Sequence, residues 1–133
     1  MIKNLKTVKQ LNGSGSGIAC IAMISGRTYA RVKKDLEKLE LIKGRSCRID
    51  FKGVKQILDF YKVKYSRVFN IDDYPVSSLK NNALLAVNFD KYKDCWKWVV
   101  YDSRKEALRD PESKNELRTD FGKTAIHAFI YVF

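Results

Sequence analysis

A glycine-rich loop, Asn12 to Gly17, runs straight into an almost uninterrupted apolar stretch, Ile18 to Ile24, and Ser16 stands at the junction. A nucleophile at such a point faces the free backbone amides and the positive end of a helix. These stabilise negative charge, lower a thiol's pKa and hold an oxyanion. Gly15 and Gly17 are small enough to let a substrate backbone approach closely. Gln10, six residues upstream, offers a side-chain amide as a second oxyanion donor.

The elements that must position these groups can be read from periodicity. Ile18 to Ile24 contains only apolar and small residues and is ended by Ser25 and Gly26, which describes a short helix buried on nearly all sides. Thr28 is placed to cap a second helix whose apolar stripe is Val32, Leu36, Leu39 and Leu41. A third helix is expected from Asp50, with Val54, Ile57, Leu58 and Tyr61 at helical spacing, ending before Val63. From there the period changes to that of strands. VKYSRVF alternates from Val63, ALLAVNF is a buried run from Ala83, and WKWVVYD from Trp96 carries aromatic and β-branched residues. A turn at Asp102-Ser103-Arg104 leads to a short strand, Glu106 to Arg109. The last segment, AIHAFIYVF, is apolar enough for a central or inward-facing strand. Helices first and an antiparallel sheet second is an α+β domain.

The length of 133 residues suits one domain, expected to span residues 1–133, and 45% hydrophobic residues suffice for a core. No apolar stretch approaches the ~18–20 residues of a membrane span, and the basic, polar N-terminus has no apolar signal region, so a cytoplasmic protein is expected. Cys20, Cys47 and Cys95 are odd in number and widely spaced, fitting neither a disulfide framework nor a zinc ligand set. Reduced thiols follow. No glycine loop has phosphate-binding spacing and no His or carboxylate cluster suggests a metal, so no cofactor is expected. The net charge of +11 favours an acidic partner or nucleic acid, with plain solubility as the simpler explanation.

Taken in order, Gln10, Ser16-Gly17-Ile18-Ala19, Lys97-Trp98-Val99-Val100-Tyr101-Asp102 and Asp110-Pro111 resemble the papain-like cysteine peptidases. The closest resemblance is to the bacteriocin-processing peptidase domains of bacterial peptide exporters and their free-standing relatives. That family has a Gln, a Cys-Gly-x-Ala at a helix start, a His opening a Val-Val-rich strand and an Asp-Pro after the next strand. The resemblance spans nearly the whole chain and implies N-terminal helices packed on a C-terminal antiparallel sheet, with a catalytic site at Ser16, Lys97, Asp110 and Gln10. It also implies a polypeptide partner.

Two of the four positions depart from the family. Ser16 stands where the resemblance expects the Cys, and Lys97 where it expects the His. A hydroxyl needs a general base to become a nucleophile, whereas a thiol needs only a modest pKa shift. Lys97 could be that base only as a neutral amine, and an aspartate beside it would favour the ammonium. Three readings of Ser16 stand: a site without activity in which Ser16 caps the helix, a serine standing where the natural protein has cysteine, and an active Ser-Lys hydrolase. The corresponding functions are a degenerate domain that keeps a peptide-binding cleft, a cysteine peptidase or toxin-type hydrolase carrying a Cys-to-Ser change, and, from charge alone, a basic binding module.

His127, the only histidine, lies in an apolar strand and reads as a hydrogen-bonded core or edge residue. Cys20 reads as a packed thiol and Cys95, two residues before Lys97, as the more reactive one. Trp96, Trp98, Tyr92 and Tyr101, interleaved with Lys91, Lys93 and Lys97, fit a strand with one aromatic core face better than a nucleic-acid stacking surface.

Overall fold

The computed structural model describes residues 4–43, 46–114, 117–122 and 124–133. Three helices precede the sheet: α1 (Ser16–Ser25), α2 (Tyr29–Lys38) and α3 (Phe51–Phe60). Each has a local cause. At α1 the chain leaves through Gly26, whose φ of 69° is left-handed and whose N–H donates to Ala22 O. Thr28 caps α2 by accepting from Arg31 N at 3.2 Å, and Asp50 caps α3 by accepting from Gly53 N at 2.8 Å.

The sheet is antiparallel, with strands β1 (Ala83–Asp90), β2 (Cys95–Asp102), β3 (Ala107–Arg109) and β4 (Ile126–Tyr131) in the order β3-β2-β1-β4. Its central strands are covered on both faces, which is why β1 reads as a run rather than an alternation. Leu84, Ala86, Trp98 and Val100 face the helices. Leu85, Val87, Val99 and Tyr101 face a second core closed by Val76, Leu79 and Phe129. Helix α1 packs against β2, and its residues Ile18 through Ala22 are at most 1% exposed. Asp102 and Arg109, both buried, pair across β2 and β3 at 2.9 Å.

Two strand expectations change. Val63 to Phe69 does not form a strand but makes two isolated bridges, Phe69 with Phe129 in β4 and Tyr65 with Val132 just beyond it. Ser66 interrupts the ladder, because its hydroxyl accepts the Tyr131 N–H at 2.9 Å. β4 is the terminal strand of the four rather than a central one, although Ile126, Ala128, Phe129 and Ile130 are buried as expected. The aromatic residues of β2 are buried on both faces of the sheet rather than on one, Trp98 towards the helices and Tyr101 towards the second core. Trp98 and Tyr101 are buried, while Tyr92 stands 88% exposed in the turn between β1 and β2. No helix among the described residues is long and apolar enough to cross a membrane.

Candidate functional site

Ser16 is the first residue of α1, and Gly15 before it occupies the cap position without a side-chain capping bond. The helix-cap role expected for Ser16 is therefore not the one it fills. Its Oγ instead accepts the backbone N–H of Trp98 at 3.1 Å, which ties the head of α1 to β2. The two glycines around it also serve a different end from substrate approach. A Cβ on Gly17 would lie 2.4 Å from Ile49 Cγ2 and 3.1 Å from Trp98 Cδ1, and one on Gly15 would lie 2.1 Å from the Tyr29 hydroxyl. Both are glycine so that α1 can sit tightly on its own neighbours.

Ser16 opens on a cleft of about 520 Å³ between the start of α1, the segment around Arg48 to Asp50 and the β1–β2 hairpin. Lys97, Cys95, Trp96 and Trp98 line it. β1 carries an irregularity beside the cleft. Val87 lies opposite Lys97 but Asp90 opposite Cys95, so β1 holds an extra residue there, and Asn88 takes a φ of 54°. A bulge of this kind turns the neighbouring side chains. Phe51 meets Trp98 edge-on at 4.8 Å, Trp96 meets Trp98 edge-on at 5.7 Å, and Trp98 Nε1 donates to Ile49 O at 3.0 Å, so the aromatic wall is fixed. The charged side chains along the cleft balance: Arg48, Lys93 and Lys97 against Asp50, Asp90 and Asp94. The excess of positive charge lies elsewhere on the surface.

Ser16 and Lys97 thus share one cleft. The carboxylate that meets Lys97 is Glu112, whose Oε2 accepts from the ammonium. The strand register explains this choice. Val100 is opposite Arg109, so continuing the same pairing beyond β3 sets Asp110 against Val99 and Glu112 against Lys97. Asp110 turns to Arg118, whose Nη1 lies 2.5 Å from Oδ2, and its Oδ1 accepts the Glu112 N–H at 2.9 Å. Asp110 therefore shapes the turn that presents Glu112. Gln10 reaches the same place from the N-terminal segment, with its N–H donating to Pro111 O at 3.3 Å. Its Nε2 donates to Asn12 O at 2.8 Å and to Glu112 Oε1 at 3.2 Å, leaving Oε1 buried without a partner among the described residues.

The thiols separate by environment. All three are free. Burial pushes the Cys20 thiol well above its ordinary range, and the negative charge of Asp110 pushes it further. Cys47 is buried, with its sulfur accepting from Asn12 Nδ2 at 3.3 Å. Cys95 is the partly exposed one and faces the cleft. His127 is stacked on Phe89 at 4.3 Å, with Nδ1 3.0 Å from Asp72 Oδ1 and its ring 6.3 Å from that of Trp96.

The backbone trace resembles solved peptidase domains over nearly its whole length. One is the peptidase domain of Streptococcus ComA, a bi-functional ABC transporter involved in a quorum-sensing pathway: TM-score 0.68, 15% identity, 97% of this chain and 98% of that one. Its fold is papain-like. A double glycine motif protease from an AMS/PCAT transporter, in complex with its leader peptide, gives 0.65 at 14% identity over 97% and 91%. The Streptococcus mutans ComA peptidase domain bound to a small-molecule inhibitor gives 0.61 at 15% identity over 96% and 98%. No family model and no curated protein matches the sequence.

Glu112 and Arg118 were not singled out from the sequence. Glu112 could have been, because it follows Asp110-Pro111 directly and is an acid in a chain with 26 bases and 15 acids. Arg118 lies beyond a turn and carried no local signal.

Proposed function

We propose that the chain is a peptide-binding domain on a papain-like frame and does not act as a thiol peptidase. The observation that carries this reading is the pair of groups facing the cleft. At the head of α1 stands a hydroxyl whose oxygen accepts from Trp98 N–H, and along the same cleft an ammonium that donates to Glu112. A hydroxyl needs a base to be nucleophilic, and an ammonium has no lone pair with which to take its proton. What remains is a cleft of peptide dimensions with a fixed aromatic wall, the kind of surface that buries an extended chain. The structurally similar transporter protease bound to its leader peptide supports a polypeptide as the ligand here. The balanced charge inside the cleft argues against nucleic acid in that place. Three free thiols fit a reducing, cytoplasmic setting, and we take residues 1–133 as one domain.

The frame can be tested by giving it back its chemistry. A Ser16→Cys, Lys97→His double variant should react at position 16 with an electrophilic thiol probe, located by peptide mapping to separate it from Cys95. A double variant that folds but neither reacts at residue 16 nor cleaves a glycine-rich peptide would count against the reading.

A further inference from the structure

Glu112 is gripped at both carboxylate oxygens by groups from two other parts of the chain. The Lys97 ammonium donates to Oε2, and Gln10 Nε2 donates to Oε1 at 3.2 Å. Beside these donors lies an acceptor with nothing to accept from, because Gln10 Oε1 is buried and has no partner among the described residues. Buried polar atoms are nearly always paired, so an orphan here calls for a donor. Lys97 also lines the cleft in which Ser16 and Trp96 stand, so the charged donor of the clamp faces the proposed peptide track, while Gln10 and Glu112 hold it from outside the lining.

We infer that this clamp receives the C-terminal carboxylate of the bound peptide, with Glu112 acting as the internal occupant that the ligand displaces. The inference rests on the peptide-binding reading above. The last residue of a peptide carries the complementary set: a carboxylate for Lys97 and Gln10 Nε2, and its own N–H for Gln10 Oε1. The backbone of a chain passing through the site without ending there offers no charge to Lys97. Displacement is easy, since the Lys97 and Glu112 side chains are 55% and 38% exposed, and exposed ion pairs contribute little. The ligand class is therefore a peptide with a free C-terminus, as a cleaved product has, rather than an uninterrupted polypeptide.

The test uses an N-acetylated, fluorescein-labelled decapeptide ending in Gly-Gly, made both as the free acid and as the carboxamide, with binding read by anisotropy. The acid should bind about threefold to fivefold more tightly than the amide, the upper range for one partly exposed ion pair. Lys97→Met should abolish the difference, and Glu112→Gln should tighten the acid while leaving the amide unchanged. Lys34→Met, which removes an equal charge from the exposed face of α2, should leave the difference intact. Equal affinity for acid and amide would overturn the inference while the peptide-binding reading stands. No binding of either peptide would overturn both. Loss of the preference in Lys34→Met as large as in Lys97→Met would also overturn it, by assigning the effect to net charge.

Discussion

The Ser16 hydroxyl oxygen accepts the Trp98 backbone N–H at 3.1 Å, across 82 residues of sequence. The bond joins the first turn of the buried helix to the strand that carries Lys97, so Ser16 is a structural acceptor. Replacing it with alanine leaves a buried N–H without a partner. Ser16→Ala should lower stability by about 1–3 kcal/mol. Urea denaturation should show a lower midpoint with an unchanged slope, and an unchanged midpoint would assign Trp98 N–H another partner.

The glycines flanking Ser16 give a second expectation. Gly17→Ala forces a methyl to 2.4 Å from Ile49 Cγ2, a distance that real Cβ atoms do not adopt, and tightly against Trp98. Overpacking of this kind costs about 1–3 kcal/mol. Thermal melts of Gly17→Ala against Gly13→Ala provide the comparison, because a Cβ on Gly13 meets nothing within 4 Å. Equal melting temperatures for the two would contradict the packing role.

The acid and alkaline limits of stability should both depend on one cluster. Asp35 accepts from the Tyr61 hydroxyl at 2.7 Å and from Arg31 Nε at 3.1 Å. The Tyr61 bond, helped by Arg31 against the effect of burial, holds the Asp35 carboxyl below its ordinary 3.8, so its contribution is present above that pH and is lost as pH falls through the lower, folded value. Burial first, and then Asp35, raise Tyr61 above its ordinary 10.0, so its contribution is present below pH 10 and is lost as pH rises toward the folded value. Stability measured against pH should therefore fall at both ends. Asp35→Asn should flatten the acid limb and Tyr61→Phe the alkaline limb.

Both tryptophans of the chain line the cleft, which makes intrinsic fluorescence a local reporter. Peptide binding should change the emission of the unaltered protein. Trp96→Ala should weaken binding by about tenfold, the effect of losing one aromatic contact in a binding cleft. An unchanged affinity in that variant would place the peptide elsewhere.

The helices and the central strands were legible because their signals are local. Thr28 and Asp50 are caps with mechanisms, Gly26 is a left-handed stop, and the doubly buried β1 shows as an apolar run. Val63 to Phe69 was misjudged because its alternation is that of a strand, whereas Ser66 spends its hydroxyl on the neighbouring ladder. At the site, a common place for Ser16 and Lys97 was implied by the resemblance of the ordered motifs and by no local signal of the sequence, and both line one cleft. The exchange of partners, Lys97 with Glu112 and Asp110 with Arg118, was implied by neither. It depends on the register between β2 and β3 and on a turn at Pro111, which no periodicity encodes.

The central claim, a peptidase frame that binds without cutting, is tested most directly on the unaltered protein. A double-glycine peptide would be titrated against it while tryptophan emission is recorded, and the same samples would be analysed by mass spectrometry after prolonged incubation. The account expects a saturable change in emission with the peptide recovered intact. Cleavage that Ser16→Ala abolishes would contradict it by showing a working serine nucleophile, and the absence of any saturable change would contradict it by removing the ligand.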